Sequence, residues 1–312
     1  MSGGPPPDPP RRLLLVVNPV ARSVTPALVE LIEKALAADF ACDVHETKAR
    51  DHATELARRA VADGVGMVVV FSGDGTINEV ANALVGTRVP LGLIPGGATN
   101  VLARGLGVPD DPIEATVDLI HQALERPPRR ISLGRVNGRH FTFACGVGLD
   151  AAAMEHLESR KARLRSRRSY EWAALSAVIR KGIASYAGRD PDLTLRIGGQ
   201  ELPSLSVLVG NTHPYAYFKR WPLKVTPTAD PAGGLEVLSA RKLTRRGVPR
   251  LAFQLFVTGR HVKSKNLDHR REVRSLEVEG ARPFPVQVDG DFVGHKDRVE
   301  VVAVPDALWV HA

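Results

Sequence analysis

The stretch Val68–Glu79, VVVFSGDGTINE, decides how this 312-residue sequence folds. The apolar run Met67–Phe71 predicts a buried parallel strand. The turn that follows, Ser72-Gly73-Asp74-Gly75, contains two glycines, which let the backbone approach a ligand closely. Apolar residues then recur at helical spacing, namely Ile77, Val80, Ala81 and Leu84. Because the free N–H groups of a helix start favour phosphate, the stretch predicts a phosphate site between a strand and a helix.

Asp74 is the leading catalytic candidate in this turn. A carboxylate in such an electropositive position can hold a metal ion or accept a proton from a hydroxyl, the two roles that phosphoryl transfer requires of one. The alternative is that Asp74 is only a turn residue and that Thr76 and Glu79, spaced T-x-x-E, form a capping box. The stretch alone leaves both interpretations open.

The composition is that of a soluble globular protein of about two domains, with 44% hydrophobic and 24% charged residues. No window reaches the ~18 apolar residues of a membrane span, and the start, MSGGPPPDPPRR, lacks the apolar stretch of a secretory signal. We therefore expect a cytoplasmic protein.

The charge balance favours an anionic partner. Forty-two Lys and Arg against 34 Asp and Glu give a net charge of +8, which suits a nucleotide, a nucleic acid or an anionic lipid. The two cysteines, Cys42 and Cys145, are too few and too far apart for a disulfide framework or a cysteine zinc site. Redox chemistry is therefore disfavoured.

Strands and helices alternate in the N-terminal part. After a tail of residues 1–12 that we expect to be disordered, strands are predicted at 13–17, 42–46 and 67–71, with helices starting at 26 and 52. This order implies a parallel sheet between helices. Ligands of such sheets collect at the carboxyl ends of the strands, where Asn18, Thr47 and Asp74 all fall. Three segments are thus predicted to meet at one site.

A second glycine turn follows the strand Pro90–Ile94. The segment Gly92–Thr99, GLIPGGAT, almost matches a P-loop, but Ala98 occupies the position of the phosphate-binding lysine, and the first turn lacks the third glycine of a dinucleotide fingerprint. Both motifs are rejected. A helix carrying Ile113, Val117, Ile120 and Leu124 then precedes the basic, proline-broken segment 126–130, which predicts a linker and the end of the first domain.

The pattern changes to short strands after Ile131 and predicts a largely antiparallel β domain. The predicted strands are 139–144, 193–197, 205–209, 235–240, 274–278, 284–288 and 299–304. Helical interruptions are predicted at 151–185 and 248–260. The first carries a basic block, Arg160, Lys161, Arg163, Arg165, Arg167 and Arg168, and then an apolar stripe, Tyr170, Trp172, Leu175, Val178 and Ile179. Docking to a membrane surface and a solvated basic face are both compatible with this pattern.

Taken together, SGDGTINEVANAL and PLGLIPGGATNVLARGLGVP resemble the signature blocks of the diacylglycerol kinase catalytic family. That family includes bacterial lipid kinases and the sphingosine and ceramide kinases, and is a distant relative of NAD kinase. The resemblance covers residues 13 to 305. Further matches are Asn18-Pro19, Thr47 with His52-Ala53, the GVGLDA stretch 146–151, and Val288-Asp289-Gly290-Asp291, which is similar to a late D-G-E motif of the family.

The resemblance implies an α/β ATP-binding domain, residues 13–130 completed by 300–312, and a β-rich lipid-substrate domain, residues 131–299. It also implies phosphorylation of a lipid hydroxyl, diacylglycerol-like or sphingoid, by ATP with Mg²⁺ in the cleft between them, as a step of phospholipid biosynthesis. The implied partners are the lipid substrate and a peripheral anionic membrane surface, without nucleic acid; a homodimer stays open.

Site residues also follow from the resemblance. Asp74, Asp289 and Asp291 would be catalytic, Asp74 would also hold the metal, and Asp150 would lie near the lipid head group. The residues implied in ATP binding are Asn18, Pro19, Thr47, Gly73, Asp74, Gly75, Thr76, Asn78, Glu79, Gly97, Thr99 and Asn100. From the residues alone, Asp150 could equally be a helix N-cap, and Asp289-Gly290 a hairpin turn.

The sequence departs from the family pattern at three places. Ala98 replaces a common Thr, so that Thr99 is the neighbouring source of a hydroxyl. Asp291 replaces Glu and shortens the reach of the carboxylate by about 1 Å. Ala232 and Gly233 stand where many relatives have an Asp-Asp-Gly for a structural Mg²⁺. Besides a lipid kinase, two alternatives therefore remain: an NAD kinase-like enzyme for a soluble substrate, and a catalytically weak lipid-binding regulatory protein.

Overall fold

The computed structural model describes residues 6–7, 10–159, 184–218 and 221–312. The chain divides into two compact units. The first consists of Met1–Leu133 with Val304–Ala312, and the second of Gly134–Ala303. Part of the tail predicted to be disordered lies outside the described residues, as does the basic block with its apolar stripe.

The first unit contains a parallel sheet between helices. Its elements, in chain order, are β1 Arg12–Val17, α1 Pro26–Ala37, β2 Ala41–Glu46, α2 His52–Ala62, β3 Met67–Ser72, α3 Asp74–Leu84, β4 Leu91–Pro95, α4 Val101–Gly105 and α5 Pro112–Glu125. The strand order is β2-β1-β3-β4, and Val310 and His311 at the C-terminal end of the chain pair in parallel with Leu91 and Gly92.

Both faces of this sheet are covered, which explains the unbroken apolar runs of its strands. Along β1, Leu13 and Leu15 contribute to one buried cluster and Leu14 and Val16 to the other. Successive side chains of a strand point to opposite faces, so a strand buried on both sides shows no polar alternation. The predicted βαβαβα order is confirmed.

Helix α5 forms where it was predicted, but it packs through a different face. Ile113, Val117 and Leu124 are 46%, 61% and 49% exposed. The buried positions are Ala115, Thr116, Leu119 and Ala123. A Cβ placed on Gly92 would lie 2.9 Å from a methyl carbon of Leu119, so the glycine in β4 lets this helix approach the sheet closely.

The predicted linker at 126–130 is wrong, because Arg129 and Arg130 begin strand β5, Arg129–Val136. The Arg129 guanidinium donates to the carbonyl of Ala312 at 3.1 Å, and that of Arg130 stacks over the Trp309 ring at 4.6 Å. These two side chains are therefore engaged by other parts of the first unit, and such contacts do not require a solvated loop.

The second unit is dominated by antiparallel strands. Its elements are β6 Arg139–Phe141, β7 Ala144–Val147, α6 Leu149–Glu158, a helical turn Ala184–Tyr186, β8 Leu193–Ile197, β9 Gln200–Ser204, β10 Ser206–Gly210, β11 Ala216–Phe218, β12 Trp221–Leu223, β13 Leu235–Ala240, helical turns from Arg245 to Lys263, β14 Leu267–Val273, β15 Ser275–Val288 and β16 Asp291–His311. Neighbouring strands pair in the order β14-β13-β10-β7-β15-β16, and β15 also pairs with β8. The predicted fold class, α/β followed by a largely antiparallel β domain, is confirmed.

Several predicted elements of this unit differ from the observed ones. The predicted strand 139–144 is two strands, because the chain turns at Thr142 and Phe143 around a buried carboxylate described below. The predicted strands 274–278 and 284–288 form one strand, β15, with a register shift between Glu279 and Phe284.

The predicted helical interruptions differ as well. The helix predicted from Ala151 begins at Leu149, and residues 160–183 of it lie outside the described part. The segment 248–260 is an α-helix, Val248–Phe253, followed by a π-helical turn, Gln254–Thr258, and a 3-10 turn, Arg260–Lys263. In the described residues, no helix has the length and hydrophobicity needed to cross a bilayer.

Candidate active site

The first glycine turn places Asp74 at the start of α3. All six residues of β3 are buried, and Gly73, with extended backbone angles, is the N-cap of the helix. No side chain caps this end, so the predicted capping box of Thr76 and Glu79 is wrong. The backbone N–H groups of the first turn have no intrahelical acceptors and carry the positive end of the helix dipole. This helix start therefore remains suited to an anion.

The second glycine turn lies directly against the first. The Gly96 N–H donates to the carbonyl of Ser72 at 2.8 Å. A Cβ placed on Gly97 would be 2.5 Å from the Cα of Gly73, which is closer than real Cβ contacts allow. Asn100 holds the turn through a 2.9 Å bond from the Gly97 N–H to its Oδ1, and adopts a left-handed conformation with φ of 47°. The two turns are therefore in backbone contact because both positions are glycine.

Asp74 connects the two turns. It is 9% exposed, and its Oδ2 accepts a hydrogen bond from the Thr99 hydroxyl at 2.7 Å. Its Oδ1 accepts a longer bond, 3.4 Å, from the Leu102 N–H in the first turn of α4. The carboxylate thus lies at the N-termini of two helices, where a negative charge is stabilised. The Thr99 hydroxyl, next to Ala98 in the chain, therefore orients the Asp74 carboxylate.

The ends of the neighbouring strands bring further predicted residues to this edge of the sheet. The Asn18 amide donates to the Thr76 hydroxyl oxygen at 3.3 Å, and the Ser72 hydroxyl donates to the same oxygen at 2.8 Å. The Thr47 N–H donates to the carbonyl of Val17 at 2.8 Å. Asn18, Pro19 and Thr47 therefore follow the carboxyl ends of β1 and β2, as the parallel order requires.

Glu79 and Asn78, both predicted to bind ATP, face other partners. The Glu79 carboxylate accepts from the Ala53 N–H at 3.1 Å, at the start of α2, whose own N-cap residue Asp51 makes no side-chain cap. Asn78 is buried and accepts from the Asn82 amide through its carbonyl at 2.9 Å. The Glu79 side chain thus joins α3 to the start of α2, whereas the bond to Asn78 lies within α3.

The late acidic motif forms a hairpin turn between β15 and β16. Asp289 and Gly290 have φ angles of 48° and 79°, the left-handed pair that a tight hairpin needs. The Asp289 carboxylate is buried and accepts four hydrogen bonds from the segment Thr142–Ala144, at 2.7 to 3.0 Å. Burial raises the pKa of the Asp289 carboxyl, and these hydrogen bonds oppose that rise. Asp289 therefore binds the turn between β6 and β7.

Asp291 is more accessible than Asp289. It begins β16, its side chain is 28% exposed, and the nearest guanidinium nitrogen of Arg139 is 3.6 Å from its carboxylate. The two acids of the motif thus differ: one is saturated by backbone donors, and the other lies at the surface beside a cation.

Asp150 lies in the first turn of α6 behind the N-cap residue Gly148, so it is not the N-cap. Its carboxylate accepts from the Tyr215 hydroxyl at 2.9 Å and from the Gln287 amide at 2.7 Å. Burial raises the pKa of the Asp150 carboxyl, against the effect of these bonds. Burial and the Asp150 charge raise the pKa of the Tyr215 phenol well above its usual value.

Gln287 joins Asp150 to the acidic hairpin and was not identified from the sequence. Its side chain is fully buried; the amide nitrogen donates to Asp150, and the amide oxygen accepts from the Gly290 N–H at 2.8 Å. The sequence signal was a glutamine inside the apolar strand Phe284–Val288, because a buried amide needs partners. Tyr215 was missed as well, because the short segment before β11 gave no signal in the sequence.

The loop around Ala232 and Gly233, which departs from the family pattern, is held by carboxylates. Glu236 accepts from the Thr228 N–H at 2.8 Å, and Glu272 accepts from the Gly234 N–H at 3.0 Å. The described residues contain no group of three His, Cys, Asp or Glu side chains that could hold a metal ion. Asp74 offers a carboxylate beside the phosphate-type turn, which suits Mg²⁺, because this ion is commonly bound by one or two carboxylates together with substrate phosphates.

Comparisons with known proteins identify the family. Residues 12–136 match the model of the diacylglycerol kinase catalytic domain, and residues 144–312 match the YegS C-terminal NAD kinase beta sandwich-like domain. A diacylglycerol kinase of Mycobacterium tuberculosis is 31% identical over 271 residues, which cover 83% of this chain and 80% of that protein. The chain therefore belongs to the diacylglycerol kinase catalytic family, whose members include YegS-like lipid kinases.

Other similarities agree with this assignment. A diacylglycerol kinase of Bacillus subtilis is 36% identical over 123 residues, covering 39% of this chain and 40% of that protein. A solved structure of a diacylglycerol kinase from Bacillus anthracis str. Sterne has a TM-score of 0.70 at 22% identity and covers 97% of both chains. At this identity the structure supports the fold alone.

The contact between the turns predicts opposite effects of two Gly→Ala substitutions. Gly97→Ala should lower the free energy of unfolding by about 1–3 kcal/mol, because the new methyl group overlaps the Gly73 backbone. Gly75→Ala should be neutral or stabilising by up to about 1 kcal/mol, because it adds a helix former where no atom lies within 4 Å. Urea unfolding of both variants measures this, and equal midpoints would contradict the role of the contact.

The acidic hairpin predicts a second contrast. Asp289→Asn should cost about 1–3 kcal/mol of unfolding free energy, since the new NH₂ group faces a backbone donor and leaves it unsatisfied. Asp291→Asn, at the accessible end of the same turn, should cost distinctly less. Thermal and urea denaturation of the two proteins provide the comparison. A destabilised Asp291→Asn beside an unaffected Asp289→Asn would reverse the assignment.

Proposed function

We propose that this protein is an ATP-dependent lipid kinase that transfers the γ-phosphoryl group of ATP to a lipid hydroxyl. The observation that carries the proposal is the position of the Asp74 carboxylate. Thr99 and the start of α4 hold it at the N-terminus of α3, between two glycine turns that are in contact. Family membership supports a kinase that acts on lipids.

The phosphates of ATP are proposed to bind at the start of α3. Gly73, Gly75 and Thr76 provide backbone N–H groups there, and a Cβ on Gly75 would meet no protein atom, so that a ligand has room on this side. Gly97, Thr99 and Asn100 shape the second turn. Asn18, Pro19 and Thr47 follow the neighbouring strand ends and would contact the rest of the nucleotide. Glu79 is proposed to act indirectly, by joining α3 to the start of α2. Asn78 lies buried in α3, beside the proposed phosphate site.

Asp74 is the residue proposed to hold Mg²⁺. When bound, Mg²⁺ neutralises the charge that develops on the phosphate oxygens. The Thr99 hydroxyl donates to Asp74 Oδ2 and orients the carboxylate, and carboxylate oxygens together with substrate phosphates are the ligands that Mg²⁺ commonly takes.

Asp291 is the proposed proton acceptor. The lipid hydroxyl oxygen attacks the γ-phosphorus, the bond between that phosphorus and the β,γ-bridging oxygen breaks, ADP leaves, and the hydroxyl proton passes to a carboxylate. Asp289 is poorly suited to this step, because its four hydrogen bonds occupy the lone pairs of both oxygens. Asp289 is instead proposed to position Asp291 through the hairpin.

Asp150 is proposed to lie near the lipid head group. Tyr215 and Gln287 fix its orientation, and Gln287 connects it to the turn that carries Asp291. A diacylglycerol-like acceptor is the first candidate and a sphingoid base the second. The proposed membrane partner is an anionic bilayer. Membrane docking through the basic block Arg160–Arg168 stays a prediction, and so does the formation of a homodimer.

The deciding experiment is an assay of the full chain with labelled ATP and Mg²⁺ against dispersed diacylglycerol, a sphingoid base and NAD. We expect transfer to a lipid and not to NAD. Phosphorylation of NAD alone would favour a soluble-substrate kinase, and the absence of transfer to any lipid would leave a lipid-binding regulatory protein.

Asp74→Asn should reduce turnover by about 10²-fold or more, because an amide keeps the shape of the turn but neither binds a metal well nor accepts a proton. Turnover and thermal unfolding should be measured together. Asp39→Asn, which changes an exposed carboxylate elsewhere in the first unit, is the matched control and should behave as wild type. A folded Asp74→Asn protein with substantial turnover would remove Asp74 from the mechanism.

Asp291→Asn should lower kcat with little change in the KM for ATP, because the residue is proposed to serve the acceptor. Asp291→Glu should retain or improve activity. Asp297→Asn, an exposed carboxylate on the same strand, is the control. A large rise in the KM for ATP at unchanged kcat would assign Asp291 to the nucleotide instead.

A further inference from the structure

A basic pocket lies in the second unit, and Asp74, Asp150, Asp289 and Asp291 are not among its lining residues. It has a volume of about 650 Å³ and lies between the segment that follows β13 and the helical turns that precede β14. Five exposed cationic side chains line it and no acidic one does, namely Lys242, Arg250, Arg260, Lys263 and Lys265. We refer to these five residues as the cationic rim.

The cationic rim has no counter-charge of its own. None of its side chains makes an ion pair with a described residue. The acid nearest in sequence, Asp268, is paired with Arg241 through both carboxylate oxygens. Like charges gathered around one concave surface repel one another and raise the local concentration of anions. The pocket is therefore suited to a phosphate-sized anionic group.

Two hydroxyl groups in the pocket can add donors for such a group. The Thr244 hydroxyl oxygen accepts from the Gly247 N–H at 3.2 Å, and the Ser264 hydroxyl oxygen accepts from the Asn266 N–H at 3.3 Å. Because each oxygen is used as an acceptor, the hydroxyl hydrogen is available to donate. The pocket thus combines charge with hydrogen-bond donors, as phosphate recognition requires.

Exposed apolar side chains accompany the cationic rim. Phe253 and Val257 are 59% and 45% exposed, and they follow Arg250 by about one and two helical turns, so they share its side of the helical segment. Trp221, 63% exposed, lies on β12. This strand is joined to the same segment by a 2.9 Å bond from the Lys224 N–H to the carbonyl of Leu255. Large aromatic residues beside cations are typical of surfaces that enter a membrane interface.

We propose that this surface docks the protein onto an anionic bilayer, with a lipid phosphate in the basic pocket and with Trp221, Phe253 and Val257 in the interfacial region. The pocket would bind the phosphate of the headgroup, and the apolar residues would contact the outer ends of the acyl chains. A nucleic acid would use the cations but would gain nothing from an exposed valine. The docking role gives the proposed lipid kinase access to its substrate, but it does not depend on phosphoryl transfer.

The test is sedimentation of the full chain, without ATP, with vesicles of phosphatidylcholine alone or mixed with phosphatidylglycerol. Wild type should bind only the mixed vesicles, and more weakly as salt rises. The triple variant Arg250→Gln, Lys263→Gln, Lys265→Gln should lose on the order of 100-fold in vesicle affinity, since each basic residue near the surface contributes about fivefold. Trp221→Ala and Phe253→Ala should also weaken binding, while leaving its salt dependence in place.

A charge-matched control separates the pocket from overall charge. Arg135→Gln, Arg271→Gln, Lys296→Gln removes three exposed cations of the same unit outside the pocket and should bind vesicles as wild type does. All variants should unfold at the wild-type temperature, and the pocket variant should keep its activity on detergent-dispersed lipid. This last readout distinguishes a failure of docking from a failure of the proposed kinase function.

Three outcomes would overturn the proposal. The first is wild-type vesicle binding by the pocket variant, and the second is an equal loss in the control variant. The third is a loss confined to a variant of the predicted basic block, Arg163→Gln, Arg165→Gln, Arg167→Gln, Arg168→Gln. If the pocket variant bound vesicles as wild type does but lost binding to a soluble RNA, the pocket would be assigned to nucleic acid instead.

Discussion

The close approach of Gly73 to Gly97 is the constraint on which the first unit depends. A Cβ at Gly97 would fall 2.5 Å from the Cα of Gly73, so any side chain there would push the two turns apart. With the turns in contact, Thr99 reaches Asp74 and the start of α4 reaches the same carboxylate. The backbone N–H groups at the start of α3 are not capped by a side chain. An anionic ligand and a cation can both be accommodated at such a site.

The second unit distributes its acids among different environments. Asp289 is saturated by four donors and holds a turn, Asp150 is oriented by a phenol and an amide, and Asp291 stays accessible beside Arg139. The buried amide of Gln287 connects Asp150 to the acidic hairpin, because its nitrogen donates to Asp150 and its oxygen accepts from the Gly290 N–H. A change at Gln287 would therefore disturb both, since a buried amide that loses one partner leaves a polar group unsatisfied. The accessible carboxylate, Asp291, is the one for which the proton-acceptor role is proposed.

Local patterns predicted much of the fold and half of the site. The apolar run of β3, the two glycine turns and the positions of Asn18 and Thr47 at strand ends follow from short stretches of chain. The resemblance assigned Glu79 to the nucleotide, whereas its carboxylate caps α2. The helical spacing of Ile113 and Val117 identified α5, whereas Leu119 is the side chain that lies against the sheet. Helical spacing identifies a helix, but a helix with apolar residues on two sides does not reveal which side is buried. That depends on the neighbour, here the glycine in β4.

The sequence by itself determined the order of strands and helices, the family, and the location of the phosphate-type turn. Apolar periodicity and the conformational freedom of glycine shape the chain over only a few residues, so a short stretch is enough to identify them. Only the tertiary structure decided what each carboxylate does. The donors that saturate Asp289 lie 145 to 147 residues away, and the amide that orients Asp150 lies 137 residues away. The cations of the basic pocket likewise come from separate turns. No local pattern encodes such distant partners, and the protonation and reach of a buried acid are set by the groups that surround it.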